Sequence, residues 1–440
     1  MKQKTNFNEK GITIIALIIT IILLLILVGV SINLVIKGNL FGSAEKAVSG
    51  TNDKTAQEQT RVDELMGELG RVEEQQRQDN LPGTRVSENT KYIRDGKTAW
   101  IPKGFTVSGI KSEQSINKGL VIYDIPEGTT PDWTNPDSVK TKYNQFVWIP
   151  VEVKSSDTEN SIASFYRSAW TANESTGGER TNGLSTDYTE PDSTNDTADK
   201  TGIANQIANL TKSIYKYGGF YIGRYEAGSE TERTSSSGVT TLGIKQDMYP
   251  YNYVEWGDSE SSIGTTGAVY LSNSLYNTNE YGATSMLCTG ATWDSMLDFI
   301  KDSSHSVTNS TTWGNYNNSE TYTINRGKYA VYNTSNYTLG NFQDVGNEYS
   351  KEKSTSILLT TGATERNSSK NIYDVAGNCW EWTTESNSSS NRLSRGRWLR
   401  RQWLWRSSEI PRHLLSDRQQ QPRRFSPSTL CKAVSLQAIH

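Results

Sequence analysis

The side chains with the most chemistry to offer gather in the run 371–383, Asn-Ile-Tyr-Asp-Val-Ala-Gly-Asn-Cys-Trp-Glu-Trp-Thr. A short apolar segment (Ile372, Tyr373, Val375) leads into a Gly377-Asn378 turn, then into Trp380 and Trp382 around Glu381. Alternate side chains of a strand point to opposite faces, so the Trp pair leaves one side and Glu381 the other. Spacing limits what these groups can do. Cys288, Cys379 and Cys431 are too far apart for a zinc pattern or a disulfide framework. His305 is the one histidine ahead of the last 44 residues, so a three-histidine iron site cannot be assembled from the main domain. There is no Ser-His-Asp set, phosphate loop or dinucleotide fingerprint. Glu381 and Glu385 carry no sequence sign of acid–base work.

These residues need elements to hold them. At 440 residues the chain has room for two or three domains. Apolar residues make up 34%, and Ser, Thr, Asn, Gly and Tyr are abundant, which suits a loop-rich extracellular β-type domain. A net charge of −3 gives no general attraction to nucleic acid. Residues 12–36 are uncharged, and at ~1.5 Å per residue they span a bilayer core of ~30 Å. Lys2, Lys4 and Lys10 precede them. The expectation is a single-pass transmembrane helix in the cell membrane, N-terminus cytoplasmic and everything after Lys37 outside. The alternative, a cleaved secretory signal, normally has an apolar core of ~7–15 residues, although Gly42-Ser43-Ala44 would serve as a weak cleavage site.

Residues 37–82 are polar and helix-friendly. Val62, Leu65, Met66, Leu69 and Val72 recur at helical spacing, so they predict a helical stalk, with a charged linker as the alternative. Leu81-Pro82-Gly83 ends it. Residues 90–144 read as a small β-rich segment, with Asp95-Gly96 as a hairpin turn. Phe146 to Pro150 reads as a strand, and Thr289 as the cap of a helix through Ile300. Stretches 155–210, 228–247 and 303–365 are Ser/Thr/Asn-rich and read as long surface loops. Cys288 and Cys379 read as buried structural cysteines, and Trp380 and Trp382 as core.

The run 371–383 resembles the signature of the formylglycine-generating-enzyme (sulfatase-modifying-factor) superfamily. Further landmarks follow in that superfamily's order. Residues 146–150 are similar to its first strand, 219–226 (Gly-Phe-Tyr-Ile-Gly-Arg-Tyr-Glu) to its Tyr-Glu strand, 250–256 to the start of a helix, and 287–293 to a helix-capping segment. The resemblance covers about 145–396. It implies an α+β, C-type-lectin-like sulfatase-modifying-factor fold with long loops, preceded by the transmembrane helix and stalk. It also implies a structural Ca²⁺ held by Asp374 and Glu381 through their carboxylates and by Gly377 and Cys379 through backbone carbonyls. Hard oxygen ligands on a tight turn suit that ion. The alternative is that the two carboxylates cap the turn.

The superfamily's oxidases use a copper-binding Cys pair near the C-terminus, and no Cys lies between Cys379 and Cys431. No copper or iron is expected. The reading is therefore a non-catalytic surface protein that binds an extracellular protein or glycan. A metal-dependent oxidase of the same superfamily and a minor pilin are the alternatives. The last arises because Glu9-Lys10-Gly11 before Ile12 resembles a prepilin leader (1–11), which implies cleavage between Gly11 and Ile12 by a prepilin peptidase. Pilins carry Glu where this chain has Ala16, which argues against fibre assembly.

After Gly396 the text changes character. Residues 397–424 hold eight Arg and three Trp. Shifting the reading frame by one base turns Trp398, Trp403 and Trp405 into Gly and Gln419, Gln420 and Gln421 into Asn or Ser. Phe425-Ser426 can become Phe-Arg. The shifted text resembles the superfamily's Gly/Asn-rich ending, so residues 397–440 are expected to be a frameshifted tail. The rival, a basic-aromatic nucleic-acid patch, is not needed to explain the composition. The nucleotide sequence of codons 390–432 tests this: an unbroken frame there would defeat it.

Overall fold

The computed structural model describes residues 44–181, 190, 202–236, 238–257, 264–276, 280–333, 335, 338–388, 391–395, 428–429 and 435–438. Gly11, Ile12 and residues 12–36 lie outside these. Among the described residues, no helix is long and apolar enough to cross a membrane. The chain divides into two units, 1–75 and 76–440. Helix α1 (Ala44–Asp79) runs through the polar stretch. It is rich in Glu, Gln and Arg, which lose little side-chain freedom in a helix. Val62, Leu65, Met66 and Val72 are exposed on it.

The second unit is mixed α+β with mostly small antiparallel sheets. Strands β1 (Thr90–Arg94) and β2 (Lys97–Ile101) form a hairpin. Its corner residues Asp95 and Gly96 both have positive φ (57° and 69°). A two-residue turn of that hand matches the twist of its strands, and Asp-Gly tolerates it best. The main sheet is built from β3 (Thr106–Val107), β4 (Val121–Tyr123), β5 (Gln145–Pro150), β6 (Gly219–Gly223), β7 (Ala283–Met286) and one strand from the end of the chain. The order is β7, the terminal strand, β6, β5, β4, β3, all antiparallel. Residues 90–144 and the 145–396 region therefore share one sheet, because β3 and β4 extend it beyond β5.

Every residue of β6 is buried, and β5 is buried up to its last residue. Such strands read as continuous apolar runs, because both faces are covered. Short helix α2 (Pro136–Lys142) precedes β5. Helix α3 (Ile203–Tyr217) packs on β6 through Ile203, Leu210, Ile214 and Tyr217, one helical face. It stops at Gly218, in the left-handed conformation that suits glycine (φ 74°). Helix α4 (Ala268–Ser274) packs beside β7, and α5 (Gly290–Ile300) beside β5. Thr289 caps α5. Its hydroxyl accepts Thr292 N–H at 3.0 Å, while Thr292 Oγ1 accepts Thr289 N–H at 2.8 Å. This reciprocal box satisfies two otherwise orphan donors.

Two expectations change. Residues 250–256 do not start a helix: Tyr249–Pro250 is a short strand, Tyr253 has φ 56°, and the next helix begins at Ala268. A side chain in the left-handed region interrupts helical geometry. Nor are 155–210, 228–247 and 303–365 plain loops: Ala169–Thr171 pairs with Glu179–Thr181, helix α3 begins at Ile203, and Gly228–Ser229 pairs with Leu242–Gly243. Tyr322–Ile324 pairs with Tyr349–Lys351, and Lys328–Asn333 with Ile357–Leu359. These strands enclose a small core of Tyr322, Ile324, Val345, Ile357, Leu359 and Ala363. Tyr, Thr and Val at alternate positions fit a half-buried pleat, a signal that the Ser/Asn-rich composition hides.

Candidate functional site

The signature run folds as Ile372–Tyr373, a turn, and the long strand β8 (Trp380–Ser388), which pairs with β9 (Asn391–Arg395). Asp374, Gly377 and Asn378 all have positive φ (59°, 85° and 60°). The turn lies against Asn315: Asn315 N–H donates to Ala376 O at 2.9 Å, and Asn378 N–H donates to Asn315 O at 3.1 Å. A Cβ on Gly377 would stand 2.2 Å from Asn315 O. Gly377→Ala combines this clash with backbone strain. It is expected to destabilise by about 2–3 kcal/mol, more than the ordinary glycine effect. A thermal melt unchanged within a degree would contradict that.

Asn378 holds the site together. Its Nδ2 donates to Glu226 Oε2 (2.8 Å) and Leu359 O (3.2 Å). Its Oδ1 accepts Leu359 N–H and Asn315 Nδ2, each at 2.9 Å. Those four contacts use the full capacity of the amide. They join the end of β6 to the 303–365 insertion.

The four residues expected at a calcium ion occupy this turn and the start of β8. Asp374 and Glu381 are both buried. Asp374 Oδ2 accepts Gly362 N–H at 2.7 Å. The Cys379 thiol points toward Asn252 Oδ1 (3.5 Å) and packs with Tyr332 and Leu358. Among the described residues, no group of three or more His, Cys, Asp and Glu could hold a metal. A pair of carboxylates with two carbonyls does not require such a group.

The alternation on β8 is reversed relative to simple hydrophobicity. Glu381 is buried, and Trp380 and Trp382 are half-buried. Trp382 Nε1 donates to Val254 O, and Trp256 Nε1 to Thr383 O, both at 2.9 Å. The indoles thus fasten the 251–257 loop to β8. Cys288 is buried, its thiol pushed up to about 12 by burial. It is an inert thiol, since the thiolate is the reactive form. His305 Nδ1 lies 2.9 Å from Asp302 Oδ1, its ring edge-on to Trp313.

Sequence reading missed two buried charge clusters. In the first, Arg167 bonds both Glu385 and Asp294. Arg395 donates to Glu385 through Nε (2.6 Å) and Nη2 (2.7 Å) and stands 3.5 Å from Asp294 Oδ1. Ser168 N–H and Trp170 Nε1 also donate to Asp294, at 2.8 and 3.2 Å. Burial alone would raise Glu385, but Arg395 and Arg167 hold it well below the usual carboxylate range. In the second cluster, Arg224 meets Glu113 at 2.8 Å and Lys140 meets it at 3.4 Å. The Ser108 and Tyr123 hydroxyls donate to the same carboxylate at 2.7 and 2.8 Å. The partners are distant in sequence, so no local spacing could have paired them.

No family model matches the chain, and no curated protein and no solved structure matches it.

Proposed function

We propose that this chain is a membrane-anchored protein that presents an extracellular binding domain of sulfatase-modifying-factor, C-type-lectin-like fold, and that the domain binds a protein or glycan without catalysis. One observation carries the reading: the signature residues are spent inward. Trp382 and Trp256 close a loop onto β8, Asn378 is fully hydrogen-bonded, and Glu385 is clamped by two guanidiniums. Such a centre serves as a scaffold, and the binding surface is then carried by the insertions, since loops are where binding residues usually sit. The test has two arms. Protease treatment of intact cells should remove residues beyond 37, and the full-length protein in detergent should retain a defined glycan or protein ligand on an array. Protection of the whole chain, or turnover of a thiol substrate with bound copper or iron, would overturn the reading.

The same reading takes a structural Ca²⁺ at Asp374, Gly377, Cys379 and Glu381. An ion that binds only the folded state stabilises it by about 2.7 kcal/mol at a hundredfold excess over Kd. Calcium after chelator treatment is then expected to raise the melting temperature by about 3–4 °C, and Glu381→Gln to abolish the rise. Identical melts with chelator and with calcium would remove the ion from the proposal.

A further inference from the structure

Lys351 ends the Tyr349–Lys351 strand of the 303–365 insertion, and it is 0% exposed. Its ammonium donates to three main-chain carbonyls of one short loop: Tyr316 O at 2.7 Å, Asn317 O at 3.3 Å and Ser319 O at 3.3 Å. Two of these carbonyls are fixed in direction by a second donor, Tyr316 O by Ser319 N–H and Asn317 O by Ser354 N–H. Among the described residues, the acceptors around the ammonium are all carbonyls. The acids that flank it in sequence are engaged elsewhere, Glu320 with Lys353 and Glu352 with the hydroxyls of Thr321 and Ser350. Arg366 serves the same loop in the same way, donating to Gly314 O at 2.9 Å and Thr311 O at 3.2 Å. A buried charge needs compensation, and here the negative ends of carbonyl dipoles supply it. The dependence runs both ways, because carbonyl oxygens turned toward one point repel one another unless a positive group stands between them. The loop also carries Asn315, which seats the signature turn through Ala376 O and Asn378 N–H.

The spacing identifies the class of cation. Mg²⁺ needs oxygens at about 2.0–2.1 Å and Ca²⁺ at about 2.3–2.6 Å, and both favour carboxylates. Neutral oxygens 2.7 to 3.3 Å from a common centre suit a larger monovalent ion, as where carbonyls replace the water shell of K⁺. Ammonium and K⁺ are nearly equal in size. We propose that the 316–319 loop is a site for a large monovalent cation, which the chain fills with its own Lys351 ammonium, and which K⁺ or a small alkylammonium fills once that side chain is shortened. A tethered cation is present at high effective concentration whatever ions surround the protein. The inference rests neither on the ligand of the domain nor on calcium.

Thermal melts of the full-length protein in detergent test it, with chelator present and at one ionic strength in potassium, lithium, choline or ethylammonium chloride. Burial, and Arg366 beside it, pull the Lys351 amine down to about 8, so the melts are run at about pH 6.5, where it is protonated. The wild type is expected to melt at one temperature in all four salts. Lys351→Ala should melt about 5 °C lower in lithium and choline. Potassium at about a tenfold excess over its Kd should return about 2 °C of that, and ethylammonium, which also refills part of the space left by the stem, should return more. Lys351→Met keeps the stem and leaves no room for an ion, so it should lose stability and show no preference among the salts. Equal melts of Lys351→Ala in every salt would overturn the proposal, and so would a Lys351→Met protein as stable as the wild type. If Lys351→Ala does not fold in lithium, recovery of a cooperative melt in potassium or ethylammonium is the expected result, and failure in both counts equally against the site.

Discussion

Replacing Arg224 by Ala is expected to lower the melting temperature of the domain by about 4–7 °C, through a loss of about 3–5 kcal/mol. The guanidinium is 1% exposed and bonds Glu113 at 2.8 Å, Tyr123 Oη at 3.2 Å and Gln145 Oε1 at 3.1 Å. It also lies over the rings of Tyr225 and Tyr373, at 5.4 and 5.5 Å. Removing it leaves Glu113 buried with Lys140 as its cationic partner, and an undercompensated buried charge is what makes breaking such a pair expensive. Lysine should rescue only part of the loss, because it keeps the charge but not the guanidinium plane that lies over the Tyr225 and Tyr373 rings. Exchanging both partners, Arg224→Met with Glu113→Gln, should recover part of the stability, since the buried carboxylate is then no longer stranded, although Lys140 loses its Glu113 partner. The pH response has a definite sign. Burial alone would raise Glu113, but Arg224 and Lys140 hold it below its ordinary 4.5. Its contribution is therefore full above 4.5 and fades as pH falls through the folded value. Arg224→Ala should lose that acid-side slope. Urea titrations at several pH values measure it, and a variant as stable as the wild type with the same slope would show that the cluster contributes nothing net.

What could be read from the sequence was local. Asp95-Gly96 announced its hairpin because only a few residue pairs accept two left-handed conformations in succession. Thr289 announced α5 because a hydroxyl ahead of a helix satisfies a backbone donor three residues on. The β5 run showed itself by unbroken hydrophobicity, which a strand covered on both faces needs. The Gly377-Asn378 turn was visible for a similar reason. What stayed hidden was non-local. Nothing in the neighbourhood of Arg167 points to Glu385, and nothing around Arg224 points to Glu113. Those contacts exist only after the sheet has brought the segments together. The 303–365 strands were masked by composition, since Ser, Thr and Asn are read as loop formers even where Tyr and Val alternate beneath them. Glu381 was expected to leave β8 on the opposite side from the indoles. Which of the two sides would be buried was not legible, and it is the Glu381 side.

Deleting the terminal strand should have the largest effect of all: loss of a cooperative melt and formation of aggregates. That strand, β10 (Ser435–Ala438), occupies the middle of the main sheet. It pairs at four positions with β7 and at two with β6. The change is unlike trimming an edge strand, because it separates β7 from the rest of the sheet. Two ladders are lost together, and the inner edge of β6, a fully buried strand, becomes a free template for another chain. Each buried backbone group left without a partner costs about 1–3 kcal/mol, so several at once exceed the usual stability of a domain. The position also bears on the reading frame of residues 397–440. A sheet position makes one simple demand on sequence: backbone donors and acceptors with alternate apolar residues. Leu436 and Ala438 alternate in the text as it stands. The frame can thus be altered upstream without abolishing a strand here. Circular dichroism melts and light scattering on chains ending at Ala433 and at His440 make the comparison. A truncated chain that stays monomeric with an unchanged midpoint would mean that β6 and β7 close on each other without β10, and that the sheet does not depend on the tail.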